Sequence, residues 1–292
     1  VSVAFQGPAF DENGKESAAM RMIASLFFER SSDLYKKLVV TEQKVDQLDV
    51  EVPRRSDPAL FTVQARLKNG ADAPYVRDQI LSAMARARAS LVPGDRLADA
   101  KSFDRYSFVR GIDSTERVAA VVSQYAAYRR SYQTLNNFYR TLESLTPADL
   151  QSAARKYFDD RGLIVTTLSK EPLPVGIEQA PPLASLEPRP QTASAAGGDL
   201  PMVVQKSALP QLAVRLLFTV GSAHDPAGKE GLAALTAAML TRSGSKAMTI
   251  DQIDAVLYPT AASFTARTDK EMTSLTAFVH REQWQKVVPV VF

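Results

Sequence analysis

Hydrophobic and polar residues alternate in several short segments of this chain. Successive side chains of a strand point to opposite faces, so this alternation predicts strands with one buried face. A further segment, 163–168, has four apolar residues and two β-branched threonines, and it predicts a buried strand. The strand-like alternating segments are 1–5, 47–52, 60–67, 214–218, 261–266 and 273–279.

Between these strands, apolar residues recur every three or four positions, which is the spacing of one helix face. The segment that begins at Thr146 also carries start signals: Thr146 can cap the helix, Pro147 suits its first position, and Asp149 favours its positive end. Strands interspersed with helices predict a mixed α/β protein. The predicted helices are 18–27, 74–90, 94–111, 115–144, 146–158, 231–240, a segment beginning at 249, and 283–292.

A hexapeptide pattern, Asp-x-x-Gly-Lys-Glu, occurs twice, at 11–16 and at 225–230, with a constant offset of 214 residues. Each copy lies between a predicted strand and a predicted helix. In such a loop Asp can bond the backbone, Gly admits positive φ, and Glu favours a helix start. The pattern therefore suggests two related domains, the alternative being chance repetition of a loop-like sequence.

Residues 171–200 hold six prolines and end in Ala-Ala-Gly-Gly followed by Asp and Leu. Proline sustains neither a helix interior nor a central strand, so the segment predicts an extended linker. The predicted organisation is a domain over 1–170, a Pro/Ala/Gly-rich linker over 171–200, and a second domain over 201–292.

The composition is that of an ordinary globular protein: 292 residues, 45% hydrophobic, 23% charged, and a net charge of +3. The charge balance gives no support for nucleic-acid binding. The chain has no cysteine, which excludes a disulfide framework and a thiol nucleophile. No apolar run reaches the roughly 18 residues that a membrane-spanning helix needs.

Residues 231–240 are the most informative segment, because they combine small residues with bulky apolar ones. Four alanines form one small face that lets a helix approach its neighbour closely, and the bulky residues predict packing. From 231 to 250 there is no His, Asp, Glu or Cys. The alanines are Ala233, Ala234, Ala237 and Ala238, and the bulky residues are Leu232, Leu235, Met239 and Leu240.

The run 221–240 resembles the metal-site segment of the insulinase/pitrilysin peptidases, the inverted zincins. There a Gly-Ser turn and a Gly-Lys/Arg-x-Gly loop precede a helix with His-x-x-Glu-His, whose two His bind zinc while the Glu activates water. In the overlay these three ligand and base positions fall on Ala234, Ala237 and Ala238. The resemblance thus implies a chain with no catalytic residue and no metal of its own. The alternative is an Ala-rich core helix of an unrelated protein.

Three other stretches carry the same likeness: Arg-Ser-Ser-Asp-Leu-Tyr-Lys-Lys-Leu at 30–38, the segment 145–158, and the strand 163–168. They resemble the second domain of a half-molecule in this family, which includes mitochondrial processing peptidase. The implied fold is an α/β (α+β) sandwich of two related domains, each an antiparallel or mixed sheet covered by helices. Residues 1–170 would be the second domain of the first half, and 201–292 the first, incomplete domain of the second half.

The implied function is that of an inactive region of a zinc metalloendopeptidase, which encloses an unfolded peptide and contacts the catalytic half. Zinc is expected in that half, whose His-x-x-Glu-His would lie before Val1, with the Arg/Tyr pair after Phe292. The bacterial periplasm is the expected compartment. The alternative is a free-standing non-catalytic scaffold subunit, similar to the core subunits related to mitochondrial processing peptidase. Hydrolysis at an unrecognised site is a third, weaker possibility.

Few residues outside the alanine helix are candidates for chemistry. His224, Asp225 and Glu230 could bind a metal from one loop, but adjacent residues rarely converge, so His224 is predicted to be a surface turn residue. His280 is interpreted in the same way. No nucleophile-elbow sequence accompanies them, and the sequence identifies no peptide-binding residue.

Overall fold

The structure is a computed structural model that describes residues 1–170, 172, 174–186 and 210–291. It divides into two compact units. Unit 1 comprises Val1–Lys101 and Val118–Pro190, and unit 2 comprises Ser102–Arg117 and Gln191–Phe292. Of the predicted linker, residues 171, 173 and 187–200 lie outside the described residues.

Unit 1 is built on a four-stranded antiparallel sheet with the order β2-β3-β1-β4. Burial alternates most clearly along the third strand, where Phe61, Val63 and Ala65 are buried, and Val3 and Phe5 of the first strand are fully buried. The strands are β1 Ser2–Gln6, β2 Val45–Glu51, β3 Leu60–Leu67 and β4 Ile164–Thr166.

Helices cover one face of this sheet. The first helix, α1, runs from Lys15 to Phe27 and buries eight of its residues between the sheet and the helices α3, α6 and α7. A six-residue π-helix, Lys36–Thr41, follows the short helix α2. The remaining helices that lie wholly or partly in unit 1 are α2 Asp33–Tyr35, α3 Ala73–Ala89, α4 Gly94–Gly111, α5 Thr115–Arg129, α6 Gln133–Ser144 and α7 Pro147–Tyr157.

The core of unit 1 contains a cluster of aromatic rings between the sheet and helix α7. The ring of Phe158 lies 5.4 Å from that of Phe5 and 5.2 Å from that of Phe61, measured between centroids. All three side chains are almost fully buried. Tilted and edge-on pairs at this separation add to the stabilisation from buried area.

Unit 2 has a three-stranded antiparallel sheet with the order β5-β7-β6. Its buried core is small and consists largely of valines on β5, β7 and the last helix. Within this unit the ring of Phe103 stacks on Tyr258 at 4.6 Å. The elements are β5 Gln211–Phe218, α8 Leu232–Arg242, α9 Ile250–Leu257, β6 Ser263–Thr268, β7 Thr273–His280 and α10 Trp284–Val291.

The two units share a topology. In each, the first strand leads to a helix, the second and third strands form an antiparallel pair, the first strand joins the third, and a helix follows. The order β2-β3-β1 of unit 1 therefore matches β6-β7-β5 of unit 2. This confirms the predicted fold class, an α/β protein of two related domains with antiparallel sheets covered by helices.

Three segments differ from the sequence predictions. The predicted helix 115–144 is two helices, because Arg130 adopts a left-handed φ of 52° that interrupts the helical backbone. The strand predicted over 163–168 is the short edge strand β4, in which Ile164 is exposed, and Leu168, beyond the end of the strand, is 99% exposed. The described linker residues 174–186 form turns and a 3-10 helix, Leu183–Ser185, against unit 1.

Candidate functional site

Helix α8, the candidate metal helix, is positioned by the loop that precedes it. The carboxylate of Asp225 accepts hydrogen bonds from the backbone N–H of Gly231 (2.7 Å) and of Ala233 (2.8 Å). The first N–H groups of a helix have no intrahelical partner, so this carboxylate satisfies two of them. Gly228 and Gly231 adopt left-handed φ values of 78° and 94°, which glycine allows without strain.

The Gly-Ser turn fixes this loop against the β6–β7 connection. The backbone N–H groups of Ser222 and Ala223 donate to the carbonyls of Asp269 and Lys270, each at 2.8 Å. A Cβ at Gly221 would lie 2.4 Å from the carbonyl oxygen of Asp269, so only glycine fits this position. The turn that carries the family resemblance is therefore a structural support for α8.

The three positions of the overlaid His-x-x-Glu-His motif are alanines in different environments. Ala237 is buried, Ala238 is half-buried and Ala234 is exposed. An alanine methyl group has no lone pair, and zinc requires nitrogen, sulfur or oxygen ligands. Zinc therefore does not fit this helix, although the loop that frames the helix is present.

The bulky residues of α8 were predicted to pack against neighbouring elements, and this prediction is wrong. Leu232, Leu235, Met239 and Leu240 are 43–59% exposed. Within the described residues the helix contacts β6 and β7, and Ala237 is its one buried residue, while its bulky side chains are exposed. The sequence pattern predicted the helix and its small face but not this exposure.

The loop residues considered as metal ligands are bonded to the backbone of their own loop. The Nδ1 atom of His224 accepts from the N–H of Gly221 (3.2 Å), and the carboxylate of Glu230 accepts from the N–H of Gly228 (2.9 Å). The Gly228 hydrogen bond is the main cause that holds the pKa of Glu230 below its ordinary value. Across the described ranges, no three His, Cys, Asp or Glu side chains group as a metal would need.

His280, predicted to lie on the surface, is 7% exposed. It ends strand β7, and the ring of Tyr106 lies 5.1 Å from its ring. Its Nδ1 accepts a hydrogen bond from the N–H of Glu282 at 3.4 Å. The burial of His280 beside this ring indicates a structural role. Its position at a strand end gave no sequence signal of burial.

A groove of about 990 Å³ lies over the face of the unit 1 sheet that the described helices leave open. The strand register places Asp49, Gln64, Ser2 and Thr166 in one row across all four strands. Cross-strand partners project from the same face, so this row forms a polar floor. Strand alternation predicts each polar position, but only the register shows that the four lie side by side.

The rim of the groove is more apolar than its floor. Leu168 and Val175 are almost fully exposed there, beside Pro172 and Pro174. Hydrogen-bonding side chains beneath exposed apolar ones suit an extended polypeptide, which presents both amide groups and side chains. This groove, which the sequence did not reveal, is the candidate binding surface of the described chain.

Residues 202–291 match the model of the family described as insulinase, peptidase family M16. The match confirms the family resemblance that the 221–240 segment carries. No curated protein matches the chain.

Several solved structures are similar to this chain. A protease from Helicobacter pylori shares 21% identity at a TM-score of 0.49, over 56% of this chain and 38% of its own. An inactive M16 peptidase domain from Pseudomonas fluorescens shares 13% identity at 0.47, over 59% and 42%. The periplasmic protease PqqL from Escherichia coli shares 14% identity at 0.45, over 97% and 37%.

This chain spans less than half the length of those three proteins. In the part of the chain that the structure describes, no helix has the length and apolarity needed to cross a membrane.

Proposed function

We propose that this chain is a non-catalytic region of an insulinase-family zinc metalloendopeptidase that encloses peptide substrate and contacts the catalytic half. The main supporting observation is that the loop before α8 is present, while the ligand and base positions of the overlaid motif are Ala234, Ala237 and Ala238. The Asp225 cap and the Gly221 turn maintain the helix, while the helix itself offers no metal ligand.

The domain assignment is part of this proposal. Residues 1–170 are the second domain of the first half, 171–200 the linker, and 201–292 the first domain of the second half. The catalytic half of the same polypeptide, or a homologous subunit, would be the partner and would hold the zinc. The bacterial periplasm is the compartment that the resemblance to exported two-half members favours.

Peptide enclosure requires a surface that accepts unfolded chains without sequence specificity. The groove of unit 1 supplies this through its polar floor and apolar rim. Gln64 lies at the centre of the floor, paired with Asp49 on one side and Ser2 on the other. Its side chain is exposed, so it can contact a ligand without rearrangement of the core.

The test measures binding of fluorescein-labelled casein, an unfolded polypeptide, by fluorescence anisotropy. Replacing Gln64 by Trp fills the floor, and we expect at least a roughly tenfold weaker affinity, the equivalent of about 1.4 kcal/mol. Gln133→Trp, on an exposed position of α6, is the matched control and should bind like the wild type.

The same samples are assayed for casein cleavage with and without one equivalent of zinc. We expect no cleavage in either case. Zinc-dependent cleavage, or equal binding by wild type and Gln64→Trp, would contradict the proposal.

A further inference from the structure

The described part of the predicted linker includes a strap, residues 174–186, that is folded onto unit 1. Ile177 is 6% exposed and Leu183 is fully buried, and Leu183 belongs to the main core of the unit. The strap contains a turn around Gly176 and the 3-10 helix Leu183–Ser185. A linker that served only as a spacer would have no reason to bury these side chains.

Arg77, on helix α3, holds the beginning of the strap. Its side chain is 3% exposed. Its Nη1 donates to the backbone carbonyls of Gly176 (2.8 Å) and Ile177 (2.5 Å). Its Nε and Nη2 lie 2.8 and 2.7 Å from the Asp78 carboxylate. A buried guanidinium needs acceptors for its donors, and the strap carbonyls supply two of them.

Two further hydrogen bonds hold the rest of the strap. The backbone N–H of Leu183 donates to the carboxylate of Asp160 at 3.1 Å. The hydroxyl of Ser82, also on α3, donates to the carbonyl of Leu186 at 3.1 Å. Gly176 adopts a φ of 85°, which forms the turn whose two carbonyls meet Arg77.

We propose that Arg77 is a positioning residue that pins the strap and so fixes one wall of the unit 1 groove. Pro174 and Val175 line the groove and directly precede the two carbonyls that Arg77 holds. When the hydrogen bonds from Arg77 to the strap carbonyls break, the strap separates from unit 1 and that side of the groove opens. This proposal concerns the strap alone and holds whether or not the groove binds peptide.

The test is amide hydrogen exchange on the full 292-residue chain, read at strap amides that are hydrogen-bonded. They include the N–H groups of Ile177, Gln179 and Leu183. Arg77→Met keeps an apolar stem and removes the donors. Hydrogen bonds to a charged group are strong, so we expect at least about tenfold faster exchange at these amides.

Arg140→Met on α6 is the matched control. Arg140 is exposed and bonds only locally, to Asn137 at 3.0 Å, so strap exchange should stay at the wild-type rate. Arg77→Lys should give an intermediate rate, because an ammonium group lacks the fork that reaches both carbonyls and Asp78 together.

Gly176→Ala is a second variant that tests the strap independently of any general unfolding caused by Arg77→Met. A Cβ at Gly176 meets no atom within 4 Å, so the only cost is the left-handed backbone. We expect about fivefold faster strap exchange with β3 amides unchanged. Wild-type strap exchange in both Arg77→Met and Gly176→Ala would overturn the proposal. Loss of protection throughout unit 1 in Arg77→Met, with an unaffected strap in Gly176→Ala, would do the same.

Discussion

Helices α1 and α8 follow the first strand of their units, yet they are covered very differently. α1 buries eight residues, including Met20, Met22 and Ile23, whereas α8 buries only Ala237. Helices α3, α6 and α7 cover α1, while α8 rests on β6, β7 and the turn before it. The same local pattern therefore produces a helix twice, but the elements packed over it decide which side chains are buried.

The 214-residue offset aligns individual positions of α1 with positions of α8. Met20, Ile23 and Ala24 of α1 correspond to Ala234, Ala237 and Ala238 of α8. Neither copy offers one of the usual zinc ligands at these positions, but the first fills two of them with buried bulky side chains. The first copy thus uses these positions as core, while in the second copy they are alanines of which only Ala237 is buried.

The hexapeptide repeat also adopts two conformations. Gly14 has a φ of −85° and α1 begins immediately after it, whereas Gly228 has a φ of 78° and α8 begins four residues later. Glu16 lies in the first turn of its helix and contacts Lys156 and Tyr157. Glu230 bonds the loop instead. Identical residues thus serve a helix start in one unit and a loop in the other.

The largest expected effect comes from a matched pair of Leu→Ala variants at the same repeat position. Leu26 is 6% exposed and Leu240 is 56% exposed. Leu26→Ala should lower the free energy of unfolding by about 2–5 kcal/mol, and Leu240→Ala by less than about 1 kcal/mol. Urea unfolding followed by far-UV circular dichroism measures both variants.

Trp284, the single tryptophan, lies on α10 of unit 2, so its fluorescence reports on its surroundings in that unit. Equal losses of unfolding free energy in the two leucine variants would show that α8 is covered as fully as α1, which would contradict the difference in burial between the two helices.

The next effect concerns the close approach of the Gly-Ser turn. In Gly221→Ala the new Cβ would meet backbone atoms of Asp269 and Glu271 at 2.4 and 2.6 Å. Backbone cannot yield cheaply, so we expect unit 2 to lose about 1–3 kcal/mol. Gly94→Ala, where a Cβ has open space, is the control. A fluorescence midpoint for Gly221→Ala equal to that of the wild type would disprove the tight fit.

A smaller effect separates the two aspartates of the repeat. Asp225 satisfies two N–H groups at the start of α8, while Asp11 accepts from the N–H of Asn13 in a loop. Asp225→Ala should cost roughly 0.5–2 kcal/mol, as the loss of a helix cap does, and Asp11→Ala should cost less. Thermal unfolding of both variants measures the two losses of stability, and a larger loss in Asp11→Ala than in Asp225→Ala would refute this prediction.

The smallest effect is a pH dependence within unit 1. Burial would raise the pKa of Glu16, but hydrogen bonds from Lys156 and Tyr157 outweigh it and leave the pKa below its ordinary value of 4.5. The unfolded chain therefore binds the proton more readily, so the stabilisation is present above pH 4.5 and is lost as the pH falls through the lowered pKa.

In Glu16→Gln this contribution is absent, and the loss of stability between about pH 5 and 3 should be shallower than in wild type by less than about 1 kcal/mol. Urea midpoints across this pH range measure the difference. Parallel curves for the two proteins would mean that the Glu16 contacts are not stabilising.

Local signals predicted much of the fold. The periodicity gave α4 at 94–111 and β3 at 60–67 with the limits that the structure has, and the Thr146 cap marked the start of α7. The loop Asp225 was predicted to bond backbone, which it does. These features depend on residues that are close in sequence.

The features that sequence reasoning missed depend on distant residues. The exposure of Leu235 reflects which elements lie over α8, and the burial of His280 reflects the approach of Tyr106. The groove requires the register of four strands, and the strap requires Arg77 to meet carbonyls about 100 residues away. Patterns along the chain do not encode such pairings.

The α8 helix and its preceding loop resemble a metal-site segment, but the helix carries no zinc ligand. Zinc titration by calorimetry on the purified, chelator-stripped 292-residue chain measures whether the metal binds. We expect a folded protein with no stoichiometric zinc binding. One tightly bound zinc per chain, lost in a His224→Ala or Asp225→Ala variant, would contradict it and assign the metal to the loop before the helix.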